Sequence, residues 1–322
     1  MKSRTSLGAE GRGRSGPGRA ESAVTPRTTV ETRGSDRGPR PAAKEPIMML
    51  TTTVTGRDGV PIHVVETGDP GGLPILFIHG WAQCHLSWAH QLQGALAESH
   101  RLLAMDLRGH GGSGRPDDRN AYTDRSGWAD DVDAVLTTLR AQGAVLVGWS
   151  YGGMVICDYL DRHGSSAISA VNFVGAAVGT GEDRFSSMIG SGFVRYAMDC
   201  ASPDPEVSVP ATRGFLSECT HEPMEPADWD AALVYNGMVP AAVKGWMLQR
   251  RVANDELLAG LDVPVLVSHG LADTIISPAS AEYIEETCPP ARISWYEHVG
   301  HCPFLESAER FDTELGELAG VG

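Results

Sequence analysis

From residue 51 onward, short apolar runs alternate with polar breaks containing Gly and Pro, and their lengths predict strands alternating with helices. Thr51–Gly56 and Val60–Thr67 flank Arg57-Asp58-Gly59, a turn signal that predicts an antiparallel hairpin. After the breaker Asp69-Pro70-Gly71-Gly72, Leu73–Ile78 is continuously apolar, as suits a parallel strand covered on both faces. The pattern then predicts a helix over about Ser87–Ser99, a strand at Arg101–Leu107 and a helix over Arg125–Arg140. That helix gathers Val132, Val135, Leu136 and Leu139 on an apolar stripe and leaves Asp130, Asp131 and Asp133 on its polar face. Strands at Ala144–Val147 and Ile168–Val174 bracket a further helical stretch around Met154, Val155, Ile156 and Tyr159. Toward the C-terminus follow Val263–Ser268 (strand), Pro278–Thr287 (helix), Ile293–Glu297 (strand) and Pro303–Leu318 (helix).

Two antiparallel strands followed by repeated βα units specify an α/β domain with a mostly parallel sheet and helices on both faces. Between Gly175 and about Leu258 the alternation stops, and the stretch reads as three or four helices punctuated by Pro203-Asp204-Pro205, Pro223 and Pro226. The expected organisation is a core of residues 47–175 and 259–322 with a helical cap over 176–258. An insertion there belongs over the C-terminal sheet edge, where open α/β sheets bind ligands. Met188, Phe193, Trp229, Met238 and Trp246 are its candidate pocket residues, although such side chains equally serve to pack a cap onto a core.

Composition separates the first 46 residues from the rest. They are rich in Arg, Gly, Ser and Pro, carry a net charge of +5 and lack apolar periodicity, which predicts a disordered tail. Met48 or Met49 is then the expected working start, with the tail upstream of it. The remainder carries −20, which disfavours nucleic acid or an anionic membrane as partner. No apolar run is long enough for a membrane span and no signal peptide is visible, so a cytoplasmic location is expected. Six cysteines without paired or metal-like spacing read as reduced thiols. Homo-oligomerisation is left open by the sequence.

Against this frame the chemistry concentrates in three loops. Gly148-Trp149-Ser150-Tyr151-Gly152-Gly153 places a serine where a buried strand turns into a helix, with small residues relieving the crowding of the turn. Serine needs a base, an orienting acid and oxyanion donors to act as a nucleophile. Asp273 follows the strand Val263–Ser268, and His301 follows Ile293–Glu297, so all three side chains belong to loops at one sheet edge. His298 is an alternative base, and Glu182 or Asp183 an alternative acid. Backbone N–H groups of Trp81, after His79-Gly80, and of Tyr151 are the candidate oxyanion donors. Gly109–Gly114 fits Gly-x-Gly-x-x-Gly but follows an internal strand and opens no helix, so it reads as a tight loop rather than a dinucleotide site. His298, His301 and Cys302 lack further ligands at a zinc-like spacing, and no metal or organic cofactor is implied.

His79-Gly80-Trp81, Asp106–Ser113, the Gly148–Gly153 elbow, Asp273 and His301 together resemble the α/β-hydrolase fold superfamily over about residues 50–320. The Trp after His-Gly and the ending Gly300-His301-Cys302-Pro303-Phe304-Leu305-Glu306 are similar to its cofactor-free haloperoxidase and arylesterase branch. The resemblance implies an eight-stranded sheet, a Ser150–His301–Asp273 triad, oxyanion residues Trp81 and Tyr151, and structural roles for His79 and the Arg108 loop. It implies a serine esterase or lactonase, and the Met- and aromatic-bearing insertion suggests a small-molecule, largely apolar ester with a medium-sized acyl or alcohol group. Perhydrolase, lyase or cyclase chemistry on the same triad is the main alternative, and a ligand receptor with vestigial hydrolysis a further one. Serine rather than aspartate at the elbow argues against dehalogenase and epoxide-hydrolase chemistry.

Overall fold

The computed structural model describes residues 48–320; the proposed tail at 1–46 lies outside the described residues. Eight strands form one sheet: β1 (Leu50–Thr55), β2 (Pro61–Gly68), β3 (Leu73–Ile78), β4 (His100–Met105), β5 (Ala144–Trp149), β6 (Ile168–Val174), β7 (Val265–Gly270) and β8 (Ala291–Tyr296). Their spatial order is β1-β2-β4-β3-β5-β6-β7-β8. Only the β1–β2 and β2–β4 pairs are antiparallel. From β4 to β8 every pair is parallel, so the C-terminal ends of six strands share one edge. Ile75, Leu76, Phe77 and Ile78 of β3 and Leu146 and Val147 of β5 are completely buried, as strands covered on both faces require.

The helices are α1 (Ala89–Leu92), α2 (Asn120–Thr123), α3 (Arg125–Thr138), α4 (Tyr151–His163), α5 (Ser191–Cys200), α6 (Pro205–Ser217), α7 (Pro226–Met238), α8 (Ala241–Met247), α9 (Asp255–Ala259), α10 (Ala279–Thr287), α11 (Pro303–Glu306) and α12 (Ala308–Ala319). Helices α5 to α9 lie between β6 and β7, and α5 to α8 form the bulk of this insertion.

Three expectations are corrected. The continuous helix over Ser87–Ser99 is instead a 3₁₀ turn (His85–Trp88), α1 and a second 3₁₀ turn (Ala95–Glu98). Gly94, a poor helix residue, sits at the break, where a Cβ would lie 2.6 Å from the His90 carbonyl. The helix over Pro303–Leu318 splits at Ser307, whose φ of −141° is not helical. That break lets the Glu306 carboxylate accept the Gly300 N–H at 2.9 Å and the His221 N–H at 2.6 Å. Asp131 is not on a solvated face: it is buried and receives Arg108 Nε at 2.7 Å and Nη2 at 2.8 Å. The buried guanidinium also donates to the Gly127 carbonyl, so Asp131 supplies the anion that a buried cation requires.

Candidate active site

Strand β5 ends at Trp149 and α4 begins at Tyr151, so Ser150 alone makes the turn, at φ 56° and ψ −117°. A positive φ in a residue bearing a Cβ costs on the order of 1–3 kcal/mol and persists only where its surroundings hold it. Here the Ser150 N–H donates to the Val174 carbonyl at 2.9 Å, and its own carbonyl accepts N–H groups of Gly153 and Ala177. The flanking glycines are needed for contact. A Cβ on Gly152 would stand 2.4 Å from the Ile78 carbonyl oxygen, and one on Gly148 would stand 2.8 Å from the Gly152 backbone. Bare backbone therefore lets α4 start directly against the end of β3, leaving Ser150 on the wall of a cavity.

Asp273 lies just beyond β7. Its Oδ1 accepts the Ile275 and Ile276 N–H groups at 2.8 and 3.0 Å, while Oδ2 lies 2.7 Å from His301 Nδ1. Both groups are buried. A carboxylate fixed by two backbone donors presents its second oxygen to the imidazole in one orientation, which places the proton on Nδ1 and leaves Nε2 free to accept. His269 Nε2 also lies 3.5 Å from Asp273 Oδ2 but faces the Ile276 carbonyl at 3.0 Å. Burial lowers the His269 pKa, favouring its neutral form. Gly175, one residue after the carbonyl that holds Ser150, abuts this pair: a Cβ there would be 3.0 Å from His301 Nδ1.

His79 closes the loop after β3. The Leu107 N–H donates to its Nε2 at 3.0 Å, so Nδ1 carries the proton and faces the Gly80 carbonyl at 2.8 Å. Complete burial lowers its pKa to about 4, keeping the ring neutral. Gly80 packs against the serine, since a Cβ there would meet Ser150 Cβ at 3.0 Å. Trp81 follows and shares the cavity wall with Ser150 and Tyr151. As a first-turn residue of α4, Tyr151 has an N–H without an intrahelical acceptor.

The cavity has a volume of about 330 Å³. Its walls include Met154, Phe193, Met198, Met247 and Ile276 and contain no charged side chain. Of the five candidate pocket residues, Phe193 lines it. Met188, Trp229, Met238 and Trp246 do not. Met238 is exposed, Trp229 lies under the Arg213 guanidinium, and Trp246 stacks on Tyr122 with centroids 5.6 Å apart. Met188 instead offers its carbonyl to the Ser277 N–H. Trp229 and Trp246 pack the insertion, and helical spacing alone could not distinguish these four residues from Phe193.

The rival residues stand elsewhere. His298, Glu182 and Asp183 are exposed, whereas His301 is only 2% exposed. Gly109–Gly114 closes on itself through the Gly109 N–H to the Gly114 carbonyl, a tight loop with no helix behind it. His63, His85 and Asp106 offer ligand atoms within 4.8 Å of one another. Asp106, however, already accepts the His85 N–H at 2.7 Å and the Gly112 N–H at 2.8 Å. Burial opposes its ionisation, but His85 and the Gly112 N–H outweigh that and bring its pKa to about 2. Asp106 thus acts as a clamp for two loops.

A buried network beside the elbow escaped sequence reasoning. Arg250, at the end of the insertion, donates to Asp158 Oδ2 and to the Tyr151 hydroxyl, the latter at 3.1 Å, and stands over the Tyr151 and Trp128 rings. Arg125 binds the other Asp158 oxygen at 2.8 Å and also Asn254. The available signal was Asp158 itself, an acid amid the apolar run Met154–Leu160.

Comparison with known proteins agrees with this architecture. The family profile described as the alpha/beta hydrolase fold matches residues 74–308. The crystal structure of the esterase RhEst1 from Rhodococcus sp. ECU1013 superposes with a TM-score of 0.80 at 35% identity, covering 84% of this chain and 98% of that one. A non-heme chloroperoxidase of Streptomyces lividans is 28% identical over 272 residues, covering 77% of this chain and 92% of that protein. A non-heme haloperoxidase of Rhodococcus erythropolis is 26% identical over 285 residues, covering 81% and 97%. Sheet order, the helical insertion between β6 and β7 and these matches establish that the chain belongs to the α/β-hydrolase fold family, related to esterases and non-heme haloperoxidases.

Proposed function

We propose that this protein is a serine hydrolase that cleaves carboxylic esters or lactones through an acyl-enzyme, with Ser150 as nucleophile, His301 as base and Asp273 as its orienting acid. The observation that carries the reading is the 2.7 Å contact between His301 Nδ1 and Asp273 Oδ2, packed against Gly175 beside the strained serine turn. His301 Nε2 takes the Ser150 hydroxyl proton as Oγ attacks the ester carbonyl. The Trp81 and Tyr151 N–H groups receive the developing oxyanion, worth a few kcal/mol of transition-state stabilisation. Collapse expels the alcohol, which leaves with the proton held by His301. Water, deprotonated by the same imidazole, then attacks the acyl-enzyme and releases the carboxylate.

The uncharged, mainly apolar wall favours a neutral acyl group of small or medium size and disfavours substrates carrying a second charge. In this reading residues 176–258 act as the cap and residues 47–175 with 259–322 as the core. Likeness to a named esterase supports ester cleavage as the reaction class. Turnover of p-nitrophenyl butyrate by the wild-type protein and by Ser150→Ala tests the proposal: loss of turnover in a folded variant is expected, and undiminished turnover contradicts it.

A further inference from the structure

A second cavity, of about 480 Å³, lies within the insertion and is separate from the one beside Ser150. Its walls come from the end of α5, the turn into α6, α6 itself, the end of α7 and α8. Lys244 lines it and is only 4% exposed. Among the described residues no hydrogen bond or ion pair is made by the Lys244 ammonium, which is shielded but not sealed from solvent. The second cation on the wall is Arg213, near the Thr212 and Ser208 hydroxyls; the rest is largely apolar, as at Leu233 and Val239. No carboxylate lines it, although the chain has 41 Asp and Glu against 26 Lys and Arg.

A buried ammonium without an anion is costly, and proteins ordinarily supply a carboxylate or release the proton. Burial does pull the Lys244 pKa below its usual value, and Cys200 is the neighbour that opposes the shift. An arriving anion would remove that penalty. One shielded cation in a largely apolar recess, with the exposed Arg213 at its rim, matches one negative charge carried on an apolar body; a dianion would bring a second charge against the same apolar wall. We propose that this cavity binds a small apolar monocarboxylate, with Lys244 as its counter-ion and Arg213 at the rim.

The site has a physical link to the catalytic loop. The Lys244 carbonyl accepts the Trp81 indole N–H at 3.1 Å, so the helix that carries the proposed counter-ion also holds the residue after Gly80. Any effect on turnover rests on the hydrolase reading above, whose reaction itself releases a carboxylate; the binding does not rest on it.

The test is therefore made on binding, with Ser150→Ala protein and benzoate as probe, followed by calorimetry and thermal shift. Benzoate is expected to bind and to raise Tm, Lys244→Met in the same background to weaken binding by about tenfold or more, and Phe193→Trp, in the other cavity, to leave it unchanged. Butyrate in place of benzoate distinguishes an aliphatic, product-like ligand from an aromatic one, and binding of either supports the site. No binding at millimolar benzoate, binding indifferent to Lys244→Met, or equal competition by inorganic phosphate overturns the proposal. Crystals of the wild-type protein soaked in 4-iodobenzoate give a reading independent of variant folding. An anomalous iodine peak beside Lys244 supports the site; a peak only beside Ser150, or none, overturns it.

Discussion

The Trp149 indole Nε1–H donates to the His301 backbone carbonyl at 2.9 Å, tying the last residue of β5 to the loop after β8. The same ring packs edge-on to Phe304 at 4.9 Å and lies 5.4 Å from the His301 imidazole. The residue before the proposed nucleophile thus holds the backbone of the proposed base. Trp149→Phe keeps an aromatic ring but loses the donor, at a stability cost of about 1 kcal/mol. Its expected effect is a kcat lower by about tenfold with KM little changed, because displacement of His301 affects the transition state more than substrate binding. Steady-state kinetics on an ester substrate checks this; unchanged kcat would remove the positioning role.

Asp273→Asn tests the tautomer. The amide oxygen can still accept the Ile275 and Ile276 N–H groups, but its NH₂ then faces His301 Nδ1 and favours the proton on Nε2. An imidazole protonated at Nε2 cannot accept from Ser150. A fall in kcat of about 10⁴-fold with a retained fold is expected. Kinetics combined with near-ultraviolet circular dichroism separates lost chemistry from lost structure.

Much of this architecture was legible in the sequence because each buried parallel strand is a continuous apolar run and each catalytic candidate sits just beyond one. β6 coincides with the apolar run Ile168–Val174, and the glycines around Ser150 mark its turn. Helix breaks were less legible: Ser307 carries no sequence mark comparable to Gly94, and its conformation follows from where Glu306 must reach. Burial of charge was legible least. Asp131 and Arg250 look like ordinary solvated residues until distant partners cover them, and only Asp158 stands out, by its place in an apolar run; their pairing is set by tertiary structure and not by local periodicity. The same reason limited the cap, where Phe193 reaches the cavity and Met238 faces solvent from equally apolar helices.

Gly152→Ala tests the close approach of α4 to β3. The new methyl would stand 2.4 Å from the Ile78 carbonyl oxygen, with backbone on both sides and no flexible side chain to yield. A loss of about 2 kcal/mol or more is expected from overpacking. Urea denaturation of the variant measures it. Stability equal to the wild type would contradict the packing at the elbow.

Acid sensitivity follows from buried neutral histidines, His79 and His110 foremost among them. Burial depresses the pKa of His79 to about 4 and that of His110 to about 3, from an ordinary value of 6.5. Between about pH 6.5 and 4 the unfolded chain binds protons that the folded chain refuses, so their stabilising contribution is present above pH 6.5 and is lost as pH falls through the folded values. Unfolding free energy should decline from pH 7 toward about pH 4. His79→Gln, which retains one donor and one acceptor, should reduce that decline. An unchanged pH slope in the variant would show that His79 is not its source.

The central claim is that Ser150 is the nucleophile. Its most direct test is labelling with a fluorophosphonate, followed by peptide mass spectrometry while turnover of p-nitrophenyl butyrate is monitored. The expected result is one label per chain, on the peptide containing Ser150, with activity lost in proportion to labelling. A label on another residue, or a fully labelled protein that still turns over ester, would contradict it.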